Sequence, residues 1–183
     1  MASAENPSDL DPSRFLSSFI DVAKAVLLTP KVFFSVMVRQ GAFTHPVTFL
    51  VSCVLVHTFL AGLIHRAEGL VFQNLVMGIT HPFLTAGIFF LILTRLFHSP
   101  CTYGATFRIN AYASAVGLVT WIPVAGPFFE LYRLYILVVG LRTIYEIKTS
   151  RAVTTIFLTL VVYTVMFRVL YNVTGGQFIK LPG

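Results

Sequence analysis

Three charged residues stand in otherwise apolar surroundings near the end of this chain: Glu130, Arg133 and Arg168. A charge in hydrocarbon is costly unless it finds a partner, reaches water or snorkels to the interface. Glu130 and Arg133 are one helical turn apart and can share a site. If the last two apolar stretches form an antiparallel hairpin about Thr149, Glu130 and Arg168 are equally far from the bend and lie at one depth. Two readings follow. The three residues form a structural clamp near the outer interface, or they form a polar site for an anionic headgroup or solute, since two arginines against one glutamate leave one positive charge.

His57 and His81 also lie in apolar runs, and histidine binds metals and titrates near neutrality. Counted from Ala67 between them, their depths differ by about four residues, or about 6 Å at helical rise. No Cys, Asp or Glu is placed to complete a ligand set, so a buried, hydrogen-bonded role is expected, with no metal and no cofactor. Cys53 and Cys101 cannot make a disulfide framework and read as structural thiols. No nucleophile elbow, phosphate loop, metalloprotease helix or paired catalytic carboxylate is present. The chain is therefore not expected to be an enzyme.

The elements that would carry these residues follow from composition. Of 183 residues, 56% are hydrophobic and 11% charged, with a mean hydropathy of +0.83. Soluble domains carry about 25% charged residues, so the solvent for most of this surface must be lipid. The net charge of +6 is spread in ones and twos rather than gathered on a basic face, which excludes nucleic acid as the expected partner. A transmembrane helix needs about 20 mostly apolar residues. Such stretches occur at about 46–64, 69–95, 105–122, 128–145 and 152–171, the second with a possible bend at Pro82 and the third and fourth separated by the turn residues Pro123, Gly126 and Pro127. The expected fold is all-α: a polytopic membrane protein of five transmembrane helices preceded by an amphipathic N-terminal helix.

Residues 1–13 read as a flexible polar tail without the basic start of a signal peptide. Residues 14–41 alternate at helical spacing, with Phe15, Phe19, Val22, Ala23 and Val26 on one face, and then Phe33, Phe34 and Met37 beyond Pro30. Either these short helices lie in the headgroup plane or they pack on the rest of the protein. The membrane domain spans 42–172, and 173–183 forms a short external tail. Basic residues set the direction. Arg14, Lys24, Lys31, Arg39, Arg95, Arg108, Arg142, Lys148 and Arg151 fall on one side of an alternating five-span arrangement, against Arg66, Arg168 and Lys180 on the other. The N-terminus is thus expected in the cytoplasm and the C-terminus outside or in a lumen. Ala113 and Gly117 form a small-xxx-small pair, suited to close packing within the bundle or to a homo-oligomer face.

One succession of residues goes further: Tyr112, then Ile122-Pro123-Val124-Ala125-Gly126, then Gly140-Leu141, then Ser150-Arg151-Ala152. It resembles the core of the Yip family of Ypt/Rab-interacting membrane proteins, where a Tyr near the start of the third span leads to an I-P-x-x-G turn. A span ending in Gly-Leu and a polar loop closing on Ser, a basic residue and Ala then follow. Upstream, Thr29-Pro30-Lys31-Val32-Phe33-Phe34 with Gly41 and Pro46 resembles the opening segment of that family, so the similarity runs over roughly residues 27 to 172. The resemblance implies an all-helical bundle with a cytoplasmic N-terminus. Eukaryotic members are integral membrane partners of prenylated Rab-type GTPases in vesicle traffic, with a longer N-terminal region. The short N-terminus here is similar to bacterial members, and so implies a bacterial inner membrane. The expected function is a non-enzymatic scaffold or adaptor in trafficking or membrane organisation. Its partners would be the lipid bilayer and proteins at the cytoplasmic face, met by the N-terminal helices and the loop 146–151. The alternative is a small transporter, channel or lipid-handling protein using Glu130, Arg133 and Arg168.

Overall fold

Backbone that crosses lipid must satisfy its own hydrogen bonds, and in a continuous apolar run only a helix does so. The computed structural model describes residues 9–65, 68–122 and 124–173, and among these there are helices and turns but no strand. In chain order the helices are α1 (Phe15–Leu28), α2 (Pro30–Val36), α3 (Thr44–His65), α4 (Glu68–Leu91), α5 (Tyr103–Ala113), α6 (Gly117–Thr120), α7 (Gly126–Tyr145) and α8 (Thr149–Val173). Pro30 opens α2, a position where its missing N–H costs nothing. The Thr102 hydroxyl caps α5 by accepting from the Ala105 N–H.

Among the described residues three helical stretches are long and apolar enough to cross a membrane: Thr44–Leu63, Val71–Leu96 and Thr149–Val173. They coincide with the first, second and fifth expected spans. The third expected span, 105–122, is not one helix. A 3-10 turn at Ser114–Val116 separates α5 from α6, and everything from Ala105 to Val116 is buried. The fourth, α7, carries Glu130, Arg133 and Arg142 within its 20 residues. Length and composition by themselves thus mark these three stretches as crossings. α4 runs unbroken through Pro82 and ends in a π-helical turn at Ile92–Leu96.

The N-terminal helices belong to the core. Val22, Ala23 and Val26 of α1 and Phe33 and Phe34 of α2 are buried with Phe49, Ile109, Tyr112, Ile136 and Leu141. Part of the face proposed for the headgroup plane thus meets protein instead. The gap that admits α2 exists because residue 140 is glycine: a Cβ there would lie 2.7 Å from Ile109 Cγ2 and 3.2 Å from the Phe34 ring. Leu10 is also buried, so the expected flexible tail is docked from at least residue 9; residues 1–8 and 174–183 lie outside the description. A second apolar cluster, Leu50, Val54, Ala86, Phe107 and Ala111, ties α3 and α4 to α5. Large apolar side chains left outside include Phe59, Phe72, Phe157 and Val165 on α3, α4 and α8, and Phe128 and Leu131 on α7, as lipid-facing helices require.

Candidate functional site

Between α3, α4, α6 and α7 lies a cavity of about 380 Å³, within the range of small-ligand sites. Its polar wall consists of His57, Asn74, His81, Ser114, Thr120, Glu130 and Arg133, and its apolar wall includes Cys53, Val54, Met77 and Pro82. Each helix contributes for a local reason. Pro82 has no N–H to donate, which frees the carbonyl of Gly78 one turn earlier on the same wall.

His57 Nδ1 lies 2.9 Å from the Gly117 carbonyl and 3.3 Å from Thr120 Oγ1. A carbonyl only accepts, so Nδ1 carries the proton towards it and, in the neutral ring, Nε2 is an acceptor. This bond joins α3 to α6 at Gly117, and Ala113 is buried. His81 stacks on Tyr163 of α8, ring centroids 4.9 Å apart. The Tyr163 hydroxyl is 2.7 Å from Thr85 Oγ1, which locks α8 to α4 with Tyr163 inward.

Glu130 Oε2 and Arg133 Nη1 are 3.6 Å apart, and Arg133 Nε is buried without a hydrogen-bond partner among the described residues. Arg168 takes no part: it is exposed on α8, does not line the cavity, and among the described residues no ion pair joins it to Glu130. Counting from Thr149 places Arg168 in height but not in rotation. Five residues separate it from Tyr163, about 140° around a helix, so a helix that turns Tyr163 inward turns Arg168 away. The expected surplus positive charge goes with it. One carboxylate and one guanidinium remain, which suits a group carrying both signs.

The Yip-like residues do not converge on this cavity. Tyr112 is fully buried, with Phe33 and Phe49 packed on its ring at centroid distances of 5.0 and 5.1 Å. Gly126 opens α7 and donates its N–H to the Ile122 carbonyl. Gly140 makes room for α2. Ser150 and Arg151 are exposed at the start of α8, with the Arg151 guanidinium 5.9 Å from the Phe97 ring centroid, while Ala152 is buried. Pro123 lies outside the described residues. These are turn and packing positions spread over both ends of the bundle.

Sequence reasoning missed the meeting of His57, Asn74 and His81 on one wall, because depth counting assumed straight, equally tilted helices. It also missed the pairing of the half-buried Asp9 with the buried Arg108, 2.8 Å apart. A signal was present: Arg108 is a charge within the apolar third segment, and three acids precede α1. Among the described residues no group of three or more His, Cys, Asp or Glu side chains gathers as for a metal. The family model described as the Yip1 domain matches residues 24–170. No curated protein and no solved structure matches the chain.

Proposed function

Since this chain belongs to the Yip1 domain family and is an integral membrane protein of Yip type, we propose that it binds the headgroup of a zwitterionic phospholipid in the cavity around Glu130 and Arg133. The observation that carries this is the buried Arg133 Nε, a donor with no acceptor among the described residues, beside the carboxylate of Glu130. A phosphate oxygen satisfies the guanidinium, and a primary ammonium satisfies the glutamate. The chain is then a lipid-handling protein, not an enzyme.

In this reading all five apolar segments cross the bilayer, with the N-terminus cytoplasmic. The α5–α6 run is about 27 Å long and α7 about 30 Å at 1.5 Å per residue, close to the hydrocarbon thickness. The polar Arg108 and Asn110 on the first of these are covered by protein. Alternation places the cavity in the outer half, where α6 ends and α7 begins.

Trp121, the single tryptophan, adjoins Thr120 of the cavity and reports on occupancy. Its emission should respond to short-chain phosphatidylethanolamine at concentrations about tenfold below those needed for phosphatidylcholine or phosphatidylglycerol, a difference of about 1.4 kcal/mol. Arg133→Gln should abolish that preference. Equal titrations with all three lipids, or an unaltered R133Q protein, would dismiss the proposal.

A second reading, a scaffold or adaptor, rests on a different observation: Arg142, Lys148, Ser150 and Arg151 are exposed together, and Arg39 reaches Glu146 at 3.8 Å. Crosslinking and mass spectrometry from native membranes tests it. Reproducible protein capture through residues 142–151, with no retained lipid, would favour this reading over the first.

A further inference from the structure

Arg108 is only 3% exposed, and a buried guanidinium demands a counter-charge. That charge comes from outside the membrane helices. Arg108 Nη1 donates to Asp9 Oδ2 at 2.8 Å, while Nη2 donates to the Ala42 carbonyl at 2.8 Å. The Tyr112 hydroxyl donates to Asp9 Oδ1, and His45 Nδ1 stands 3.4 Å from Oδ2. One carboxylate is thus gripped by groups from α3 and α5. Gly41 lets the preceding loop close over them: its φ is +150°, and a Cβ there would lie 3.2 Å from Arg108 Nη2.

The grip and its occupant differ in how they are held. Arg108, Tyr112 and His45 sit on helices of the bundle. Asp9 precedes α1, anchored nearby by the buried Leu10 and by the Asp11 N–H donating to Ser18 Oγ at 2.8 Å. A cavity of about 420 Å³ opens beside the pair, with Asp9, Asp11, Gly41, Ala42, His45 and Arg108 on its wall, more room than one carboxylate fills. Asp11, the other acid on its wall, is engaged elsewhere, accepting from Ser13 N–H and hydroxyl and facing Arg14 at 3.6 Å.

We propose that the Arg108, Tyr112 and His45 cradle is an anion-binding site for a phosphate group, and that Asp9 is its tethered internal occupant, displaced when the ligand binds. A phosphate offers oxygens to the guanidinium, the phenol and the imidazole at once. A tethered competitor holds the site at a high effective concentration, so removing its charge should tighten ligand binding. The site is separate from the outer cavity and does not depend on the reading given to that cavity.

The full chain in neutral detergent, at constant ionic strength, tests this by thermal unfolding against dihexanoyl phosphatidic acid and inorganic phosphate. Asp9→Asn should be stabilised by phosphatidic acid at concentrations at least tenfold below those the wild type needs. The double variant D9N/R108Q should not respond. Stabilisation by both probes identifies any phosphate group as ligand, and stabilisation by phosphatidic acid alone identifies a membrane headgroup. Failure of D9N to outdo the wild type, or a response from D9N/R108Q equal to that of D9N, would overturn the site. Wild-type protein gives a check that needs no variant. Saturating phosphatidic acid should speed hydrogen exchange at the Leu10 and Asp11 amides, which donate to Asp9 Oδ1 and Ser18 Oγ; unchanged exchange at both would count against displacement.

Discussion

His57 lowers the cost of an imidazole in an apolar helix by donating a hydrogen bond from Nδ1–H to the Gly117 carbonyl. Replacing it with Phe should cost about 1 kcal/mol, the usual net worth of such a bond, seen as a lower unfolding midpoint in detergent. Glu130 is a different case. Its side chain is 56% exposed against 21% for Arg133, and an ion pair whose carboxylate is open to solvent contributes about 1 kcal/mol or less. Glu130→Gln should therefore leave the midpoint nearly unchanged while the preference for phosphatidylethanolamine over phosphatidylglycerol disappears. A large loss of stability would mean that the pair is a clamp and not a binding group. Cys101, in the connector after α4, has its thiol pushed up by burial. Less thiolate is present at neutral pH, so maleimide labelling should be slower than for an exposed cysteine peptide, and should still be rising with pH at 9.

At the scale of elements, the seat of α2 between α5 and α7 depends on the missing side chain at position 140. Gly140→Ala should destabilise the protein by about 1–3 kcal/mol, as overpacking does, and Gly140→Val by more, with proteolysis between α1 and α2 as the readout of undocking. Rotation of α8 gives a complementary expectation. With Tyr163 held between His81 and Thr85, Arg168→Ala should leave headgroup binding as in the wild type, whereas Tyr163→Ala should weaken it by freeing His81. An R168A protein that lost binding would require α8 to turn about its axis.

Across the whole molecule, the proposed alternation of five crossings makes a sharp statement about sides. A reporter fused after Gly183 should be active only outside the cytoplasm, and one before Met1 only within it; activity of the C-terminal fusion in the cytoplasm would remove the five-crossing arrangement. The helices at 46–64, 69–95 and 152–171 were legible from the residues alone and recur as α3, α4 with its π-helical end, and α8. An apolar run of that length with at most one charge has one way to satisfy its backbone in lipid, so a one-dimensional pattern is enough. The same holds for membership of the family, since Tyr112, Gly140 and Ala152 are turn and packing residues whose order along the chain is their signature. The 3-10 break after Ala113, the docking of α1 and α2 into the core, the exclusion of Arg168, and the pairing of Asp9 with Arg108 across 99 residues were decided only by the tertiary structure. Each depends on which way a helix is rotated and on what shape its neighbours leave open. A linear pattern records height along a helix axis and carries neither.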